Sequence, residues 1–119
     1  VLSGPTLADE DFCYLTTTGR VSGRPHTIEI WFAFEGRTLY MLSGGREKSD
    51  WVKNLRRDSA VTLRIGDSLS EGRARVVSDA AEDALARRLL LEKYQGRYGG
   101  DLSRWGTTAL PVAVDFAFG

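Results

Sequence analysis

Met41-Leu42-Ser43-Gly44-Gly45-Arg46-Glu47-Lys48-Ser49-Asp50-Trp51-Val52-Lys53-Asn54-Leu55 is the stretch from which the fold is read. It opens as the end of an apolar strand, passes two glycines and a basic-polar turn, and closes as the start of an amphipathic helix. Ser43, Gly44 and Gly45 let the backbone come close to a ligand, Arg46 and Lys48 supply positive charge, and Ser49 can cap the helix while presenting a hydroxyl. These are the parts of an anion cradle. A phosphate placed here would meet open helix N–H groups, the positive end of the helix dipole and two cationic side chains. The dipole contributes ~0.3–1 kcal/mol and each charge-assisted hydrogen bond ~1.5–3 kcal/mol, so the side chains would dominate affinity. The spacing matches neither Gly-x-x-x-x-Gly-Lys-Ser/Thr nor Gly-x-Gly-x-x-Gly. A solvated basic turn is the alternative reading of the same residues.

On the N-terminal side the chain reads as strands joined by tight turns. Residues 6–11 suggest a helical turn, 12–18 a strand rich in β-formers, and 19–25 a glycine-rich turn ending at Pro25. From 26 to 34 the pattern alternates, with Ile28, Ile30, Phe32 and Phe34 on a core face and Thr27, Glu29, Trp31 and Ala33 on the other. A carboxylate beside an indole suits a cleft or a subunit interface. Glu35-Gly36 is a hairpin connection, and 37–42 is apolar on both faces, as a central strand would be.

On the C-terminal side, 50–57 is expected to be a short helix presenting Trp51, Val52 and Leu55. Strands follow at 60–65 and 71–77 around a loop at 66–70, with Arg73 and Arg75 read as a solvated face. Asp79 and Glu82 resemble a capping box for a helix over 80–94. The glycine-aromatic segment 95–106 is too irregular for a strand and suits a lid or a subunit contact, and 109–118 alternates as a last strand. Short connections between consecutive strands favour an antiparallel sheet curling into a barrel with flanking helices.

The whole chain bounds these readings. Its 119 residues suit one domain, residues 1–119, around a single core. Sixteen basic and sixteen acidic side chains cancel, so bulk attraction to nucleic acid is not indicated, while self-association is permitted. One cysteine, Cys13, excludes an internal disulfide, and with one histidine, His26, the chain offers no zinc site. Cys13 is expected to be a small buried hydrophobe. No apolar run reaches the ~20 residues of a membrane span, the first residues lack a signal peptide's regions, and a cytoplasmic location is the expectation.

Taken in order, Thr16-Thr17-Thr18-Gly19-Arg20, Ser22-Gly23-x-Pro25, Trp31-Phe32, Gly44-Gly45, Trp51, Asn54-Leu55 and Val61 resemble the deazaflavin-dependent nitroreductase and quinone reductase family. That family lies within the split β-barrel flavoproteins that include the pyridoxamine phosphate oxidases. The likeness covers residues 15–65 best. It implies a mainly β fold with flanking helices, a split barrel of six or so antiparallel strands, and a homodimer. It also implies coenzyme F420, or alternatively FMN, in a groove beside the interface, with hydride passing to a small-molecule acceptor such as a quinone, a nitroaromatic or an activated enone. Carried onto this chain, the cofactor phosphate would lie on Arg46, Lys48 and Ser49, and the ring edge along Ile28, Glu29, Ile30 and Trp31. Ser43 and Gly44, followed by Gly45, would lie beneath the ring, and Trp51 close by. His26 is a candidate for a tail carboxylate or phosphate. It stands where relatives often carry Arg, Glu29 occupies a position often uncharged, and Ser59 replaces a common Pro. No side chain is expected to act as a nucleophile, because the cofactor carries the chemistry. The remaining alternatives are plainer: Trp51 as ordinary core, Glu29 paired with Arg73 or Arg75 across strands, and a non-catalytic ligand-binding dimer.

Overall fold

The computed structural model describes residues 5–116. After a short helix α1 (Pro5–Ala8), seven strands form one antiparallel sheet: β1 (Cys13–Thr18), β2 (Pro25–Ile30), β3 (Ala33–Glu35), β4 (Thr38–Ser43), β5 (Ala60–Ile65), β6 (Ser68–Val76) and β7 (Leu110–Phe116). Helices α2 (Asp50–Arg57), α3 (Ala80–Tyr98) and α4 (Ser103–Thr108) complete the chain. The strand order is β2-β1-β5-β6-β7-β4-β3. The two edge strands, β2 and β3, are therefore consecutive in sequence, with only residues 31–32 between them. A seven-stranded sheet whose opposite edges are tied by two residues has to curl, and the result is a split barrel.

This corrects the single strand expected over 26–34. The alternation is preserved across the break: Ile28, Ile30, Phe32 and Phe34 pack into the barrel interior, and Trp31 and Ala33 into a second core outside it. What changes is the pairing partner, β1 before the break and β4 after it. At the break the backbone of Phe32 cannot join a ladder, and unpaired buried groups are costly. Two residues of α3 supply the missing partners. The Phe32 N–H donates to the Tyr94 hydroxyl at 3.0 Å, and the Lys93 ammonium donates to the Phe32 carbonyl at 3.0 Å. The Tyr94 hydroxyl also lies 2.7 Å from the carbonyl of Asp11, which ties β1's approach to the same point.

Strand β4 is buried on both faces, as expected of a central strand. Leu39 and Met41 point into the barrel with Leu15, Leu63, Ile65, Val112 and Val114, while Tyr40 and Leu42 meet Ala86, Leu90 and Tyr94 of α3. Helix α2 contributes Val52 and Leu55 to the barrel interior and closes that end. Cys13 is fully buried, and burial pushes its thiol pKa up to about 12.

Four further expectations need correction. The loop at 66–70 is a two-residue hairpin turn, because Ile65 pairs with Ser68 and β6 begins there. Helix α3 runs on to Tyr98 and ends at Gly99, whose φ of +84° is the left-handed conformation that glycine tolerates. The segment 95–106 is therefore the last turn of α3, a short link and α4, rather than irregular chain. Arg75 is ion-paired rather than simply solvated. Its guanidinium donates to Glu82 of α3 at 2.7 Å and to Asp115 of β7 at 2.6 Å, and Tyr40 donates to the same Glu82 at 2.7 Å. Asp79 accepts from the Glu82 N–H, but the Glu82 carboxylate faces Arg75, so only half of the capping box forms. The final strand is described to Phe116; Phe118 lies outside the described residues.

Candidate functional site

Two concavities and the turn between them contain the residues singled out above. The larger is a cleft of about 710 Å³ between the end of β2, the end of β4 and the α3–α4 region. Glu29, Ile30, Trp31 and Gly44 line it, together with Tyr98, Asp101, Leu102, Arg104 and Trp105. Its walls are set by Trp31, whose ring stacks on Tyr94 at 4.3 Å and 3°. Tyr98 and Trp105 stand edge-on to that indole, at 72° and 89° and centroid distances of 5.6 and 5.5 Å. Such offset and perpendicular arrangements are the favourable ones for aromatic pairs. The clasp at Phe32 and the stack on Tyr94 thus hold one wall rigidly, and Tyr98, 59 % exposed, leaves the mouth open.

The second concavity, a groove of about 450 Å³, is lined by His26, Ile28 and Trp51 with Gly19, Arg20, Ser22, Asp50 and Asn54. Among them is Asn54, a buried side chain quoted above as part of a motif but given no role there. The Asn54 carboxamide oxygen accepts from the Arg20 side chain at 2.8 Å and from the Arg20 N–H at 3.2 Å, and its amide donates to Thr17 at 3.2 Å. Arg20 also pairs with Asp50 at 3.2 Å. Buried amides demand partners, and this one locks the 19–25 turn onto α2.

Between the two lies the turn read as a cradle. Gly44 faces the cleft, while Asp50 and Trp51 face the groove, so the turn adjoins both. Residues Arg46–Lys48 form one 3-10 turn. The left-handed backbone expected of glycine falls instead on Arg46, with φ of +57°, and Gly45 is at −79°. Gly45 is needed for space, since a Cβ there would collide with the Ser49 hydroxyl. Ser49 holds the N-cap position without capping. Its hydroxyl bonds to the buried Ser43 hydroxyl at 2.8 Å, and Ser43 also donates to the Arg46 carbonyl at 3.0 Å. The N–H groups of α2's first turn therefore have no side-chain acceptor. Arg46 is committed to the Thr108 carbonyl at 2.9 Å and to Glu47 at 3.6 Å. Lys48 is exposed and makes no ion pair among the described residues.

Of the twelve residues singled out, the structure gathers Glu29, Ile30, Trp31 and Gly44 in the cleft and His26, Ile28 and Trp51 in the groove, with Ser43, Gly45, Arg46, Lys48 and Ser49 in the turn. Glu29 accepts a 3.3 Å hydrogen bond from Tyr14, its cross-strand neighbour, and not from Arg73 or Arg75 as the plainer reading had it. Trp51 is half-buried against the barrel core while also lining the groove. Tyr98, Leu102, Arg104 and Trp105, read from the sequence only within a segment suited to a lid or a subunit contact, line the cleft; Gly96, Gly99 and Gly100 obscure the helical periodicity around them.

Comparison with known proteins agrees with the fold. An F420-H2-dependent reductase structure superposes with a TM-score of 0.71 at 20 % identity, over 88 % of this chain and 94 % of that one. A protein described as a putative pyridoxamine 5'-phosphate oxidase from Listeria innocua gives 0.68 at 20 % identity, over 93 % and 87 %. A chain described as a domain-swapped dimer gives 0.71 at 21 % identity, over 88 % and 80 %. No curated protein sequence matches. The family of F420H(2)-dependent quinone reductases matches residues 2–117, nearly the whole chain. This split-barrel protein therefore belongs to the F420H(2)-dependent quinone reductase family and is an F420-dependent oxidoreductase.

Proposed function

We propose that the turn and the cleft together seat coenzyme F420 and a small planar acceptor, a quinone, a nitroaromatic or an activated enone. Reduced F420, when bound, supplies the hydride. The observation that carries the placement is the unsatisfied cradle beside an aromatic cleft. The Ser49 hydroxyl is turned toward Ser43, so the opening N–H groups of α2 are free for a phosphate oxygen. Lys48 offers an unpaired charge next to them. Asp50, which would repel an anion at this helix end, is held by Arg20. The chemistry of this donor set fits a phosphate-bearing cofactor.

The protein's own contribution is orientation and exclusion of water. Strand β2 is an edge strand, so half of its backbone N–H and C=O groups face away from β1 and can meet the polar edge of a ring. Trp31 forms a fixed wall against which a planar molecule can lie, and His26 at the groove is positioned for an anionic tail. No nucleophile is required.

We further propose that the protein is a cytoplasmic homodimer, as befits a single unpaired cysteine and the similarity to a domain-swapped dimer. The outer face of β2-β1-β5-β6 suits that contact. Thr27, Thr16 and Thr62 run across it in register, and Arg64, Arg73, Glu29 and Glu71 give it both signs of charge. Such a surface can pair with itself about a two-fold axis. No helix among the described residues is long and apolar enough to cross a membrane.

Parallel titrations with F420 and FMN test the cofactor placement. F420 is expected to bind more tightly, and Lys48→Ala to weaken it about tenfold, since one charge-assisted bond exceeds the ~1.4 kcal/mol that a factor of ten requires. An unchanged affinity would remove Lys48 from the cradle.

A further inference from the structure

The α4 side of the cleft is a wall that cannot hold itself in place. Helix α4 has six residues, fewer than an isolated helix needs in water, and its Arg104, Trp105 and Thr108 line the cleft. Its position is set by bonds from outside it. At its start the Leu102 N–H donates to the Gln95 carboxamide oxygen at 3.1 Å. At its other end a helix leaves its last carbonyls without N–H partners, and here two guanidinium groups meet them. Arg87 of α3 donates to the Gly106 carbonyl at 3.0 Å, and Arg46 donates to the Thr108 carbonyl at 2.9 Å. The helix dipole favours cations at that end. Gly106 lets α4 lie close on α3, since a Cβ there would come within 2.7 Å of Leu91. Gln95 and Arg87 both belong to α3, so of these three side chains only Arg46 reaches α4 from the cradle turn.

The backbone at Arg46 gives no reason for an arginine. Its φ of +57° lies in the left-handed region, which glycine occupies more easily, and the Ser43 hydroxyl, donating to the Arg46 carbonyl at 3.0 Å, holds that conformation. The reason lies in the side chain. Two residues earlier, Gly44 lines the cleft beside Trp105, where a Cβ on Gly44 would lie 3.8 Å from Trp105 Cδ1. The bond to Thr108 therefore joins the turn that holds Gly44 to the helix that carries Trp105, and fixes the gap between them.

We propose that Arg46 is a positioning residue for the acceptor rather than a ligand of the cofactor phosphate. It straps α4 to the turn and so sets the gap in which a planar quinone lies, while Lys48 and the opening N–H groups of α2 are left for the phosphate. This rests on the cleft being the acceptor's seat, and goes beyond it by assigning the two cations of the turn to different molecules. Without the strap, α4 is held only by its bonds to α3, and the quinone loses contact with Trp105 in the ground and transition states alike. Such a loss raises KM and leaves kcat little changed.

Hydrogen exchange of the cofactor-free protein gives a readout that needs no turnover. In Arg46→Gly, which suits the backbone, the amides of residues 103–109 are expected to exchange several-fold faster and those of α2 at the native rate. With reduced F420 and menadione as the quinone, the same variant should raise the menadione KM about five- to tenfold and leave kcat and F420 affinity within about twofold. Arg46→Lys, which keeps a charged donor at similar reach, should recover most of both effects. Trp105→Leu tests the seat by itself and should also raise the menadione KM. A loss of F420 affinity in Arg46→Gly with exchange of 103–109 unchanged would overturn the proposal and return Arg46 to the phosphate. Faster exchange with an unchanged menadione KM would overturn the coupling alone if Trp105→Leu still raises that KM; if neither variant moves it, the acceptor seat falls as well.

Discussion

Arg75 faces outward from β6, yet α3 covers it, and its guanidinium is divided between carboxylates of two other elements, Glu82 and Asp115. The bond from Arg75, with that from Tyr40, draws the Glu82 pKa down to about 2 from an ordinary 4.5. The unfolded chain therefore binds a proton at Glu82 more readily than the folded one. Stability from this group is complete above about pH 4.5 and is lost as the pH falls toward 2. Because Arg75 is 41 % exposed, solvent screening limits the effect to about 1–2 kcal/mol. Urea midpoints measured across that window should decline in the native protein. Glu82→Gln should lower the midpoint at neutral pH and flatten the acid decline; an unchanged slope would place the acid sensitivity elsewhere. Lys93 runs the same way in a higher pH window. Burial and nearby Arg97 lower its pKa from 10.5 to about 8, so the unfolded chain again holds the proton more tightly; stability falls as the pH drops from about 10.5 to 8, and this group adds no further change below that.

Two glycines give opposite expectations at the level of elements. A Cβ on Gly72 of β6 would come within 2.7 Å of Val114 Cγ1 and 2.9 Å of the Asp115 carbonyl, so Gly72→Ala should destabilise by ~1–3 kcal/mol through overpacking. Gly96 of α3 is exposed with open space around its Cβ position, and Gly96→Ala should stabilise by up to ~1 kcal/mol through helix propensity. Thermal melts of the two variants, shifted in opposite directions, would confirm both environments. The same glycines explain what could be read from the chain. Strand β5 and helix α2 were legible to the residue, since alternation and a three-to-four-residue apolar spacing are local signals. The break at residues 31–32 was not, because the alternation continues through it and only the pairing partner changes. Nor was the pairing of Arg75, since strand periodicity assigns a face without saying which charges will meet it. Of the proposed site, the turn and the strand end at Glu29–Trp31 could be named from the sequence, whereas the α3 and α4 residues on the same cleft could be read only as a lid or a subunit contact, because glycines interrupt their helical periodicity.

For the whole molecule, the uncovered face of β2-β1-β5-β6 is where a second copy would add most. Thr62 lies at its centre, half-buried between Thr16 and Glu71. Thr62→Arg places a long cation across the proposed two-fold, and sedimentation should report a monomer where the native protein gives a dimer. A monomeric native protein would end that part of the proposal. The strand order has a separate bearing on how the protein is made. Strand β7 is last in the chain but lies between β6 and β4, pairing along both its edges. Until a ribosome has delivered it, the nascent chain holds two pieces of sheet, β2-β1-β5-β6 and β4-β3, joined through residues 31–32 but with the edges of β6 and β4 bare. Closure must therefore wait for β7, and the chain short of it is the form most in need of a chaperone.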